Sequence, residues 1–255
     1  MFRLVMVVLA LTHLAGCAIN NKQDYRKAVP TLTTVGHQRV AVGVQDLRPE
    51  VVNGNVDEDY VGMQRGGYGN PFRVHTRSKR PLADEMGTLI VSALRNHGAK
   101  AQPVRLAPSL NKDQVIALLR SGKPDKLLLL TLKDWESDTY VGTELRYDAE
   151  MQALGRSGNV LASKTIKGTD QLGSGFWNPQ GVAQEQAPLT FKKKMEELYE
   201  GDIAKALSQA GDKPIAKEGA GEDKYAKLEK LKKLLDDGAL TQAEFDSEKR
   251  KVLSE

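Results

Sequence analysis

The amino-acid sequence predicts an α+β fold, a mixed β-sheet covered by helices, followed by a C-terminal two-helix hairpin. Three observations predict it. Segments of strand length with alternating or continuous apolar character recur at 39–46, 127–132 and 145–169. Between and after them, apolar residues return at spacings of three and four, the helical period. Within 223–255 that helical spacing occurs twice, on either side of a glycine turn.

The elements follow in order. Arg39 to Asp46 is β-branched and alternating and reads as the first strand of the core. Arg48-Pro49 and Asn53-Gly54-Asn55 then turn the chain, and a second glycine cluster at Gly66, Gly67 and Gly69 precedes the basic segment Arg73 to Arg80. The flanking segments suit short strands of a hairpin-like excursion. Pro81 fits a first helical turn, and Leu82, Met86, Leu89, Ile90, Ala93, Leu94 and His97 share one helical face that stops at Gly98. Val104 and Leu106 mark a short strand, and about Lys112 to Arg120 a helix. Leu127 to Leu132 is an unbroken apolar run, as in a central strand buried on both faces. Leu145, Tyr147, Ala149, Met151 and Ala153 alternate with polar residues, and Ser157-Gly158-Asn159 returns the chain through 160–169 as an antiparallel hairpin. A long helix over roughly Leu189 to Gln209 closes the domain, with Gly201 weakening it locally.

After a linker at 210–222 rich in glycine and charge, Leu228, Leu231, Leu234 and Leu235 form one helical face that ends at Gly238. Thr241-Gln242-Ala243-Glu244 is a capping box, with Leu240 and Phe245 placed as a hydrophobic staple and Val252 continuing the face. The order of leucines, Asp236-Asp237-Gly238, Leu240-Thr241 and Glu244-Phe245 resembles the short C-terminal domain family, SHOCT. That resemblance implies a hairpin used for oligomerisation or docking. Size points the same way, since a hairpin this small lies below the ~40 residues at which a unit stands alone without metal, disulfide or association. Its leucine face needs a second copy, or else the main domain of its own chain.

The first sixteen residues are a secretory signal: Arg3, an apolar run from Leu4 to Leu11, then small residues. Leu14-Ala15-Gly16-Cys17 resembles the bacterial lipobox, which implies a diacylglyceryl thioether on Cys17, cleavage before it and acylation of the new amino terminus. More than one acyl chain makes such an anchor stable. Ala18, by the sorting rule of such lipoproteins, implies the periplasmic face of the outer membrane. Residues 17–38 read as a flexible, polar tether holding a periplasmic domain, 39–209, off the lipid surface. The order of elements in that domain resembles the periplasmic domains of several envelope lipoproteins, including the curli-secretion lipoprotein and the penicillin-binding-protein activators.

Composition excludes more than it identifies. One cysteine in 255 residues rules out a disulfide framework and a cysteine-rich zinc site. A net charge of +4 from 37 basic and 33 acidic residues gives no case for nucleic acid. His37, His75 and His97 lie in separate elements, so no metal or other cofactor is expected. The glycine clusters lack the residues of a phosphate loop or a nucleophile elbow. The expectation is a non-enzymatic binding or assembly lipoprotein, its partner an envelope protein or peptidoglycan. The partner-facing candidates are Arg73, Arg77 and Arg80 with Trp135 and Trp177, although the tryptophans suit closure of the core equally well. The alternatives are a cell-wall hydrolase using Asp134 and Glu136, or a secretion or pore subunit whose excursion inserts in the membrane.

Overall fold

The computed structural model describes residues 22–32, 36–66, 68–174, 179–215, 228, 231–235 and 240–254. The chain divides into two units between Pro214 and Ile215. The first unit is an α+β sheet structure. In chain order its strands are β1 (Lys22–Gln23), β2 (Arg39–Asp46), β3 (Tyr60–Arg65), β4 (Pro71–Thr76), β5 (Lys100–Arg105), β6 (Lys126–Thr139), β7 (Gly142–Gly155) and β8 (Val160–Ser174). Its helices are α1 (Pro49–Val52), α2 (Leu82–Asn96), α3 (Lys112–Arg120), α4 (Pro179–Tyr199) and α5 (Asp202–Ser208), and a single 3-10 turn covers Tyr25–Lys27.

Strand β6 organises the sheet. Along one edge it pairs antiparallel with β7 over its whole length, and β8 continues outward from β7. Along its other edge it has two parallel neighbours in succession, β2 beside Lys126–Leu132 and β3 beside Ser137–Thr139. Outside β2 lies β5, outside β3 lies β4, and β1 adds to β4. Between the end of β2 and the start of β3, the edge of β6 has no strand to satisfy it, and an arginine does so instead. Arg48 is fully buried, donates through Nε and Nη2 to both oxygens of Asp46 at 2.8 and 2.7 Å, and through Nη1 to the carbonyls of Tyr60 (2.9 Å) and Trp135 (3.0 Å). The side chain thus joins three strands where backbone pairing lapses, as complete polar accounting requires. At the same junction β3 approaches so closely that a Cβ on Gly62 would meet the Ser137 backbone carbonyl.

A bulge at Lys133 decides what β6 buries. Leu132 pairs with Ala149 and Asp134 with Asp148, so Lys133 is the extra residue. Side chains alternate along a strand, and one inserted residue exchanges the faces. Before the bulge Leu128, Leu130 and Leu132 are buried on the face opposite Leu127 and Leu129; after it Trp135, Ser137 and Thr139 point inward while Asp134, Glu136 and Asp138 face outward.

Helix α2 begins at Pro81 and buries Leu82, Met86, Leu89, Ile90 and Leu94 against β2 and β5. Each such side chain contributes about 1.5–3 kcal/mol. On the opposite face α3, started by a capping box between Asn111 and Gln114, sets Val115 and Leu119 on Ala41, Leu127, Leu129 and Leu154. Helices α4 and α5 cross β7 and β8, with Phe191, Met195, Leu198 and Leu207 buried.

Three expectations need correction. The segment 17–38 is no flexible tether from Lys22 to Leu32, because β1 joins the sheet and Tyr25 and Leu32 are completely buried. The last helix is broken in two: Gly201 sits at φ 87°, a left-handed conformation that glycine adopts freely, and the helical part starts ten residues earlier than expected, running through Pro188. The start of the expected linker is also held down. Lys126 donates to the Gly211 carbonyl and lies 3.4 Å from Asp212, which also accepts from the Arg156 amide at 2.9 Å.

In the second unit, residues 231–235 and α6 (Gln242–Ser254) are helical and form a hairpin-like pair. The Leu240 amide donates to the Leu234 carbonyl at 3.1 Å.

Candidate functional site

The basic segment lies on β4 and the turn after it. Val74 and Thr76 point inward, which leaves Arg73, Arg77 and Arg80 exposed, as an alternating strand requires. Each cation has company. Arg73 donates to the Asn55 carbonyl at 3.0 Å, and Arg77 stands 3.7 Å from Asp24. Arg80 sits at the start of α2 near Glu85, where it helps counter the rise that burial imposes on that carboxyl group. Nearby, His75 Nδ1 and Asp59 Oδ1 are 2.7 Å apart on the wall of an open cavity of about 660 Å³, which Lys22, Lys79, Asp57 and Glu58 also line. Both signs of charge share that wall, and the described residues include no metal-binding group of three or more ligands.

Trp135 is not partner-facing. It is completely buried, edge-on to Phe191 (6.1 Å between centroids) and tilted against Tyr147 (6.5 Å), with its indole N–H directed at the Tyr25 hydroxyl at 3.4 Å. Tyr25 in turn donates to Gln23 at 2.9 Å, and Gln23 donates to Ser137 at 2.8 Å. Burial pushes the Tyr25 phenol up to about 12, so it remains a neutral donor. The bulge at Lys133 turned the tryptophan inward and made it the seat of the N-terminal segment. Trp177 and Cys17 lie outside the described residues.

The same bulge places Asp134 and Glu136 together on the outer face, where one guanidinium serves both. Arg146 lies 3.6 Å from Asp134 and 2.8 Å from Glu136. Burial raises the Glu136 pKa, and Arg146 and a hydrogen bond from Tyr60 draw it back. One guanidinium thus offsets part of the charge of two acids that lie on the same face of β6. β3 and β4 form the short antiparallel pair expected around the glycine cluster, and both belong to the continuous sheet.

The C-terminal hairpin carries the capping box expected of it. The Thr241 amide and hydroxyl donate to Glu244 Oε2 at 2.9 and 2.8 Å, which holds the Glu244 carboxyl below its ordinary range, and the Glu244 amide approaches the Thr241 hydroxyl at 3.4 Å. Leu228, Leu231, Leu235, Leu240 and Phe245 are half-buried, Leu234 is 44% exposed, and Val252 is buried.

Sequence reasoning overlooked the apolar end of the sheet. Parallel strands β3 and β6 finish side by side, and the turns that follow expose Tyr68 fully and Tyr140 and Val141 by about half. An apolar pair inside a hairpin turn, Tyr140-Val141, was the available signal.

Residues 226–253 match the short C-terminal domain family, SHOCT. No curated protein matches the chain. Among solved structures, protein XCC0632 of Xanthomonas campestris is 15% identical, with 73% of this chain and 91% of that one covered at a TM-score of 0.42. The PelC dodecamer of Paraburkholderia phytofirmans is 19% identical, covering 72% and 94% at 0.35. The LpoB C-terminal domain of Salmonella enterica is 15% identical, covering 58% and 95% at 0.26. Likenesses at this level carry no functional argument.

Proposed function

We propose that this chain is a lipid-anchored, non-enzymatic binding or assembly lipoprotein on the periplasmic face of the outer membrane, acylated on Cys17 and self-associating through its C-terminal hairpin. The observation that carries the reading is the hairpin itself. Its second helix is capped at Thr241, its sequence matches a short C-terminal domain, and its leucines are left half-exposed in a unit too small to bury them alone. No helix among the described residues is long and apolar enough to cross a membrane. Exposed Arg73, Arg77 and Arg80 are the side chains proposed to meet an envelope protein or peptidoglycan carboxylates.

Light scattering tests the self-association on the full chain carrying Cys17→Ser. Deletion of residues 223–255 is expected to lower the mass to that of a single chain, and an unchanged mass refutes the assignment. Acylation is read separately, by the mass of the protein recovered from membranes.

A further inference from the structure

The short stretch of chain between Cys17 and the first strand limits how far an acylated Cys17 can lie from the sheet. Strand β1 runs parallel to β4, with Lys22 beside His75. β4 starts at Pro71, just after the turn that carries Tyr68, so the Lys22 end of β1 points toward that turn. Pro71 is four residues from His75, or about 13 Å along the strand. Cys17 is five residues before Lys22, a span of at most about 17 Å when fully extended. Lys22 cannot pay out further chain, because Gln23 is hydrogen-bonded to Ser137 and Tyr25 is buried beneath Trp135. An acylated Cys17 is therefore on a leash scarcely longer than the distance to the end of the sheet.

That end has the surface chemistry of an interface. Tyr68 is completely exposed and Tyr140 and Val141 are 49% and 56% exposed, on two turns brought together by the Gln64–Thr139 register of β3 and β6. Tyrosine suits the boundary between hydrocarbon and water, with an apolar ring and a hydroxyl that stays wet. Arg65 beside them is neutralised by Asp138 at 2.7 Å, so no unpaired charge from that couple must be desolvated.

We propose that the sheet end bearing Tyr68, Tyr140 and Val141 rests in the headgroup region of the bilayer that holds Cys17, seating the domain against the membrane. The proposal rests on the acylation of Cys17 proposed above.

Because Cys17 is the only cysteine and acylation consumes its thiol, a cysteine introduced elsewhere is a unique label site. Tyr68→Cys and Val141→Cys, and Ser157→Cys in the turn at the opposite end, are each labelled with an environment-sensitive fluorophore. The full acylated chain is then placed in vesicles of phosphatidylethanolamine and phosphatidylglycerol containing lipids with brominated acyl chains. Quenching is expected to be several-fold stronger at 68 and 141 than at 157. Equal quenching at all three positions, or stronger quenching at 157, overturns the seating. Labels at 68 and 141 shielded from aqueous iodide yet untouched by the brominated lipid would mean that protein covers this end, and would overturn it as well. The mass of the same sample reports acylation. A chain without acyl mass defeats the anchor and the seating together, whereas an acylated chain without quenching defeats the seating alone.

Discussion

Replacing Arg48 by methionine tests whether one side chain holds the divided edge of the sheet together. The guanidinium is completely buried and makes two hydrogen bonds to Asp46 and one each to the carbonyls of Tyr60 and Trp135. Arg48→Met keeps the bulk and removes every donor. It leaves a buried carboxylate unpaired, which costs about 3–5 kcal/mol. It also strands two acceptors, at about 1–3 kcal/mol each if neither finds water. Relaxation of the surrounding structure will absorb some of this, so a loss of about 4–6 kcal/mol is expected, comparable with the whole stability of many domains. At about 2–4 °C per kcal/mol for a unit of this size, the melting midpoint falls by about 10–20 °C. The double variant Arg48→Met with Asp46→Leu removes the stranded charge as well, and is expected to recover about half of the loss. Thermal and urea unfolding followed by far-ultraviolet circular dichroism measures both. A single variant within about 1 kcal/mol of the parent, or a double variant no more stable than the single, would refute the account of the junction.

Two further outcomes follow from the core. Trp135→Ala empties the space among Phe191, Tyr147 and Tyr25 and is expected to cost about 3–5 kcal/mol in the same unfolding assay, whereas a change near zero would return the tryptophan to the surface. Glu85, almost completely buried on α2, accepts from Ser78 through Oε1, and among the described residues its Oε2 has no hydrogen-bond partner. Burial raises its pKa; Asp24 adds to the rise, while the Ser78 hydroxyl and the charges of Arg80 and Arg26 oppose it. A raised acid pKa in the folded state contributes stability that is complete below the ordinary glutamate range and is lost as pH climbs through the folded value. Glu85→Gln is therefore expected to flatten that fall and to leave the protein more stable than its parent at neutral pH. Urea midpoints measured across the acid range check it, and parallel curves for the two proteins contradict it.

The parts of the fold that were legible in the sequence are those with a local signature. Helix α2 announced itself by the spacing of Leu82, Met86, Leu89 and Ile90, and the hairpin by the Thr241–Glu244 box, because both are set by neighbours within a turn or two. Strand β6 was legible only to Leu132. Beyond it, Asp134-Trp135-Glu136 reads as a polar strand end, and only the extra residue at Lys133, visible as a register shift against β7, turns the tryptophan inward. Residues 22–32 carry too few apolar positions to show a period, yet Tyr25 and Leu32 are buried because distant elements, β4 and α4, supply the other half of the contact. Arg48 looked like part of a turn before Pro49, since its partners at Tyr60 and Trp135 come from separate strands. The apolar end of the sheet was hidden for the same reason: the turns bearing Tyr68 and Tyr140 reach the same end only through parallel pairing of strands far apart in sequence.

Lys126 pins Gly211 and Asp212 to the sheet. Lys126 opens β6, whereas the turns bearing Tyr68 and Tyr140 stand at its other end. Within the folded unit β6 is thus held toward both ends by other segments, Gln23 hydrogen-bonded to Ser137 near one and Gly211 to Lys126 at the other. A strand of fourteen residues is about 45 Å long. Undoing one of these anchorages therefore leaves the other in place toward the opposite end of the same strand.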